Sequence, residues 1–329
     1  MWFIPMLLGC GEDSLLYKAQ AIKAIDMHLH AGIWSKIPDA SQTELAERFP
    51  FPFGLKPEEL ADQVLTGEGV LNELDKAFLD AGFIFAVYAP RSVGVATNEY
   101  ILEQLSVDAS RLYGFASLQV DDWDNQKELQ LTALSMALEE PGMIGVKLAH
   151  PHQHFRMDDP DYFEIYEVAA RFNAPVYIHT GPSPFINTNT DAPYTDPAYL
   201  ETAIETHPDT QFILGHLGYD FINKRQLHLD TCIELAKNYP NVWLEPSALG
   251  SSGSDPDGII LPEAMEAIKT AGLIDKTIYG SDGPQRPGFA KNYAERTLIA
   301  MEKAGYSFEE AQAVMAENAE NLFPLGTNP

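Results

Sequence analysis

The chain has 329 residues, 45% of them apolar and 21% charged, with no long block of one sign, so it reads as a folded globular protein rather than a disordered or fibrous one. Its formal net charge of -27 argues against partners that require a basic surface, nucleic-acid backbones and anionic lipid head groups among them, and fits a role in solubility. Two cysteines, Cys10 and Cys232, are too few for a disulfide framework, and no apolar run is long enough to span a membrane.

The first ten residues are a short apolar stretch that ends Leu7-Leu8-Gly9-Cys10. This resembles a bacterial lipoprotein signal with its Leu-x-Gly-Cys lipobox. On that reading residues 1–20 are signal and tether, Cys10 carries a lipid anchor, and the protein sits in the cell envelope on the periplasmic side. The alternative is an apolar extension packed on the fold, with the protein in the cytoplasm. Residues 21–329 form the domain.

From there, apolar runs rich in β-branched and aromatic residues recur at 21–27, 83–88, 112–118, 143–149, 175–179, 211–214, 242–244 and 277–279. After the first gap they start about 30 residues apart, the length of a strand with its crossover helix. Amphipathic stretches such as 126–140 and 161–172 fill the gaps. Strand alternating with helix means a parallel sheet. Eight units favour an α/β class (β/α)8 TIM barrel in a single domain over an open doubly wound sheet, and no Gly-x-Gly-x-x-Gly turn follows the first run. The long first gap holds Phe49-Pro50-Phe51-Pro52-Phe53-Gly54, which is either a lid or pocket wall over the barrel mouth or a packed surface loop.

Residues able to carry chemistry collect at the ends of these runs. His28 and His30 are two apart at the end of the first, so a strand's period of two puts both imidazoles on one side, where they can converge on a divalent ion. His179 ends the fifth run, His216 the sixth, and Asp282 follows the eighth. Each side chain is expected to point into the same mouth. Glu245, just past the seventh run, reaches the same end. Trp34 and Arg286 lie on mouth-facing loops as an aromatic wall and an anion clamp, or else are structural. His150, His152 and His154 form a second cluster after the fourth run, read first as substrate contacts, then as ordinary loop, then as a further metal site. His207 and His228 read as helix residues and Cys232 as a small buried one.

Together these motifs resemble the amidohydrolase superfamily, in particular the amidohydrolase-related group that holds non-oxidative decarboxylases and sugar-lactone hydrolases. The resemblance covers residues 21–325. It rests on Asp26-x-His28-x-His30, Gly145-Val146-Lys147-Leu148, Ile178-His179-Thr180-Gly181, Gly215-His216-Leu217-Gly218, Gly280-Ser281-Asp282 and the closing Glu317-Asn318-Ala319-Glu320-Asn321-Leu322-Phe323. It implies that His28, His30, His179 and Asp282 ligate Zn2+ or another divalent ion, with His216 catalytic or behind the ligands.

The implied chemistry is attack on a lactone, ester or amide carbonyl by a water whose pKa the ion lowers toward about 7. Asp282 shuttles the proton and His216 steadies the oxyanion. Non-oxidative decarboxylation of a small acid is the alternative, and a ligand-binding barrel without catalysis the next. Lys147 is expected to face the substrate beside one ion. If carboxylated, it would instead bridge two. The expected partner is a small molecule, with a homo-oligomer also compatible.

Overall fold

The computed structural model describes residues 14–48 and 56–326, so the Cys10 lipobox and the Phe49 to Gly54 loop lie outside the described residues. Seven parallel strands form the central sheet: β1 (Ile25–His30), β2 (Ala81–Phe85), β3 (Leu112–Ala116), β4 (Met143–Leu148), β5 (Val176–His179), β6 (Phe212–Gly215) and β7 (Val242–Glu245). Each hydrogen-bonds its neighbours in chain order. The predicted eighth strand is an extended segment that joins both edges. Ile278 N donates to Leu244 O at 2.9 Å, and Met27 N donates to Tyr279 O at 3.1 Å. His30 N donates to Gly283 O, which completes a (β/α)8 barrel.

Alternation along the strands explains why they read as unbroken apolar runs. Phe83, Phe85, Tyr113, Phe115, Tyr177 and Ile213 fill the barrel interior, whereas Ile84, Leu112, Val176, Ile178, Phe212 and Leu214 pack beneath the surrounding helices. Ala319 and Phe323 of the closing motif, with Ala316 just before it, plug the floor, the Phe323 ring lying 4.9 Å from that of Phe83. Burial of one such side chain contributes about 1.5–3 kcal/mol.

Several boundaries differ from the sequence reading. Gln20–Ala21 belongs to a hairpin with Leu16–Tyr17, turned by Lys18 and Ala19 at positive φ, so β1 starts only at Ile25. Beyond β2, Val87–Ala89 pairs antiparallel with Gly94–Ala96 instead of prolonging the strand. The helix expected at 161–172 is a 3-10 turn, Pro160–Tyr162, followed by Glu164–Arg171. The helix expected at 126–140 runs Trp123–Glu139.

One irregularity positions the site. Between Asp26 and Leu29 the pairing of β1 with β2 shifts register, placing Met27 and His28 opposite a single residue. The bulge reverses the phase of alternation, so Ile25 and Met27 face the interior below it and His28 and His30 face the mouth above it. Asp26 secures the bulge by accepting from His28 N at 3.1 Å and Ser281 N at 2.9 Å.

Candidate metal centre

The strand ends bring His28, His30 and Asp282 together. His28 Nε2 lies 3.2 Å from His30 Nε2, and Asp282 Oδ1 lies 3.1 Å from the first and 3.0 Å from the second. Three acceptor-capable atoms this close repel one another unless a proton or a cation sits among them. Ligands of a tetrahedral ion at about 2.1 Å stand roughly 3.4 Å apart, so the triangle has the size such an ion needs. His28, His216 and Asp282 also each offer a ligand atom within 4.8 Å of the other two.

His179 stands beside this group, its ring 4.5 Å from that of His216 and 5.2 Å from that of His152. Its Nε2 is buried without a hydrogen-bond partner, which is costly for a free imidazole and suits a ligand. The donor set of imidazoles and one carboxylate therefore fits a borderline divalent ion, with His216 within reach of the same point and His179 packed against His216.

The backbone is held in uncommon conformations at these points. Asp282 has φ 66° and His216 φ 62°, the left-handed region that non-glycine residues seldom occupy. Such strain, about 1–3 kcal/mol per residue, clusters at functional sites. Asp282 N donates to His28 O at 2.9 Å and Gly283 N to Ser281 Oγ at 3.1 Å, which fixes the turn.

Burial and charge set the protonation states. Burial alone would raise the Asp282 carboxyl, but His28 and the bonds from His28 and His30 outweigh it and hold the group well below the usual carboxylate range. Burial pulls the His28 imidazole down, and Asp282 and Glu245 more than reverse that. Burial dominates at His30 and His179, which are lowered, and at His216, lowered to about 4. Lys147 is lowered to about 7 by burial, against the opposing pull of Asp282 and Glu245. Its Nζ rests 3.8 Å from the centroid of the Tyr177 ring and 4.9 Å from that of Phe85. Among the described residues no carboxylate lies within ion-pair distance of it.

The remaining predicted residues spread outward. His152 is buried beside His179, with Nδ1 at 3.0 Å from Ser92 Oγ. His154 caps the turn His150–Gln153 at φ 64° and bonds the Asn187 carbonyl through Nε2 at 2.6 Å. Trp34 opens a short 3-10 turn, Trp34–Lys36. Arg286 is exposed and donates to Ser252 Oγ at 3.2 Å. His207 ends the helix Glu201–Thr206, as expected, and His228 caps Leu229–Asn238 with Nδ1 at 3.5 Å from Asp196.

The sequence reading missed Tyr177 and Ser247, which bond His28 Nδ1 at 3.0 Å each. Tyr177 was within reach of the argument, since period two places it on the same face as His179. Ser247 follows Glu245-Pro246 in an irregular segment and carries no such signal.

Comparison with known proteins agrees with this architecture. No curated protein matches the chain. An uncharacterised TIM-barrel protein of Bordetella bronchiseptica aligns at TM-score 0.70 and 18% identity over 92% of this chain and 98% of its own. A dihydroxybenzoic acid decarboxylase of Polaromonas sp., with bound manganese and the inhibitor 2-nitroresorcinol, aligns at TM-score 0.62 and 17% identity over 92% and 97%. A probable 2-pyrone-4,6-dicarboxylic acid hydrolase of Acinetobacter baumannii, with citric acid bound, aligns at TM-score 0.60 and 17% identity over 92% and 99%. Likeness at these identities speaks for the fold alone. The sequence model described as Amidohydrolase matches residues 25–325, from the start of β1 to just past the Phe323 plug, and the chain therefore belongs to the amidohydrolase family.

Proposed function

We propose that this chain is a metal-dependent hydrolase that adds water across the acyl C–O or C–N bond of a small lactone, ester or amide. The observation that carries the reading is the convergence of His28 Nε2, His30 Nε2 and Asp282 Oδ1 within 3.0–3.2 Å at the barrel mouth. These residues, with His179 or His216, would hold one divalent ion of the zinc or manganese type. Such an ion, when bound, supplies Lewis acidity toward a substrate oxygen.

The chain's own groups do the rest. Asp282 is ionised and its side chain is 24% exposed, so it can take a proton from water and return it to the leaving group. His216, once protonated, steadies the developing oxyanion. Lys147 and the rings of Phe85 and Tyr177 form the inner wall against which a substrate is oriented.

Decarboxylation of a small acid is the second reading, favoured by Lys147, a buried amine with no carboxylate partner among the described residues and so suited to a substrate carboxylate. The test supplies metal-loaded protein with lactones, esters and amides and, separately, with aromatic and unsaturated carboxylic acids. Acid release from the first panel supports hydrolysis. Carbon dioxide from the second, with no acid released from the first, replaces it with decarboxylation.

A further inference from the structure

We propose that Glu245, acting with Ser247 and Tyr177, is a positioning residue that keeps the protons of His28 and His216 on Nδ1 and so leaves the His28 Nε2 lone pair free. Its bearing on ion binding rests on the reading that the mouth holds a divalent ion; the tautomers themselves do not depend on it.

Glu245 ends β7 in register with Gly215, which in turn is in register with His179. It is fully buried, an unusual place for a carboxylate without a cation beside it. Its Oε1 lies 3.3 Å from His28 Nδ1. Its Oε2 lies 2.7 Å from Ser247 Oγ and 3.1 Å from the Tyr177 hydroxyl. Ser247 Oγ in turn lies 3.0 Å from His28 Nδ1 and 2.9 Å from His216 Nδ1. Three side chains thus join the δ nitrogens of a histidine on β1 and one just past β6.

A count of protons fixes the directions. A carboxylate only accepts, so the single hydroxyl proton of Ser247 and that of Tyr177 both go to Glu245. The oxygens of Ser247 and Tyr177 then have lone pairs alone to offer, so His28 Nδ1 must donate to them and His216 Nδ1 must donate to Ser247 Oγ; the Tyr177 hydroxyl, its proton on Glu245, has none left for His216 Nε2, which faces it at the longer distance of 3.4 Å. The backbone of Ser247 gives the same answer independently, because its carbonyl, which can only accept, lies 3.3 Å from His216 Nδ1. With Nδ1 protonated, a neutral imidazole carries its free lone pair on Nε2. For His28 that is the atom aimed at Asp282 and His30.

The surrounding backbone is cut away to admit this network. A Cβ on Gly280 would fall 2.1 Å from Glu245 Oε1, and one on Gly215 would fall 1.8 Å from the Tyr177 hydroxyl. Neither position needs a glycine for its φ; what each needs is the absence of a side chain. The space around Glu245 is a built feature, and it serves groups that touch no solvent.

The experiment reads imidazole tautomers by nitrogen-15 NMR across a pH series, taking the neutral forms at its alkaline end, and zinc affinity by titration. It uses the wild type, Ser247→Ala and Glu245→Gln. The expected wild-type spectrum has Nδ1–H at both His28 and His216. Ser247→Ala and Glu245→Gln are expected to mix the tautomers and weaken zinc binding about 10- to 100-fold, the usual effect of removing an outer partner of a ligating histidine. Nε2–H as the neutral wild-type form at either histidine overturns the proposal, as do unchanged tautomers and zinc affinity in both variants. Should one variant fail to fold, the other and the wild-type spectrum still decide. Wild-type protein that shows the expected tautomers yet binds neither zinc nor manganese upholds the Glu245 assignment and defeats the proposed function instead.

Discussion

The backbone amide of Asp282 donates to the carbonyl of His28 at 2.9 Å, while the carboxylate of the same aspartate lies 3.1 Å from the His28 imidazole. The last barrel segment is thus tied to the first through both main chain and side chain of one residue pair. Asp282→Asn separates the two functions, because asparagine tolerates the left-handed backbone but cannot take up a proton. The expected outcome is a fall in kcat of about 10²- to 10⁴-fold with the fold retained and the melting temperature lowered, because the depressed carboxylate contributes stability at neutral pH. Full turnover by a variant shown by elemental analysis to keep its metal would remove Asp282 from proton transfer.

Lys147→Met tests the inner wall. The folded-state pKa of Lys147 is lowered to about 7, so between that value and 10.5 the folded chain binds fewer protons than the unfolded one. The burden on stability is therefore full below about pH 7 and fades as pH rises toward 10.5. The methionine variant is expected to melt higher at neutral pH and to lose that advantage near pH 10. For a carboxylate-bearing substrate its KM should rise about ten- to hundredfold, the value of a charged hydrogen bond. An unchanged KM for anionic and neutral substrates alike would take Lys147 out of the binding site.

His150 has both ring nitrogens buried and unpartnered, and its ring lies 4.1 Å from that of Phe155. Burial lowers its pKa to about 3. Between pH 6.5 and about 3 the unfolded chain binds the extra proton, so stability is lost as pH falls through that window. His150→Leu is expected to reduce the slope of unfolding free energy against pH by about one proton there. Chemical denaturation at several pH values measures it, and parallel slopes for the two proteins would show that His150 is not buried in its neutral form.

A bound ion stabilises only the folded chain, so zinc or manganese should raise the melting temperature in a concentration-dependent way and a chelator should lower it. At a hundredfold excess over Kd the gain is about 2.7 kcal/mol. Metal-free protein whose melting ignores both metal and chelator would favour a barrel that binds ligands without catalysis.

Phe323 closes the barrel floor against Phe83 and Phe115, far from the mouth. Phe323→Ala is expected to cost about 3–5 kcal/mol through the cavity it leaves. Denaturant midpoints read the loss. Near-native stability would mean that the floor is sealed by other side chains.

Much of this was legible in the sequence because barrel strands, buried on both faces, announce themselves as apolar runs at a steady interval. His28, His30, His179, His216 and Asp282 followed from their places at strand ends. What could not be read was the bulge between Asp26 and Leu29. Strict period two from Ile25 would have turned His28 and His30 away from the interior that Ile25 and Met27 occupy. The run at 277–279 was legible as apolar, but the segment it opens joins its neighbours only through scattered bonds, which periodicity does not reveal. Ser247 and the clearance at Gly215 and Gly280 depend on which side chains meet across strands, information that no local window holds.

The separation in sequence between His28 and Asp282 has a consequence for how the protein is made. Synthesis runs from the N-terminus, and the first two imidazoles of the group emerge from the ribosome long before the carboxylate that faces them. A half-made chain can display the histidine pair but not the enclosure around it. On the proposed function, loading with an ion would therefore wait until the final segment has docked between β7 and β1.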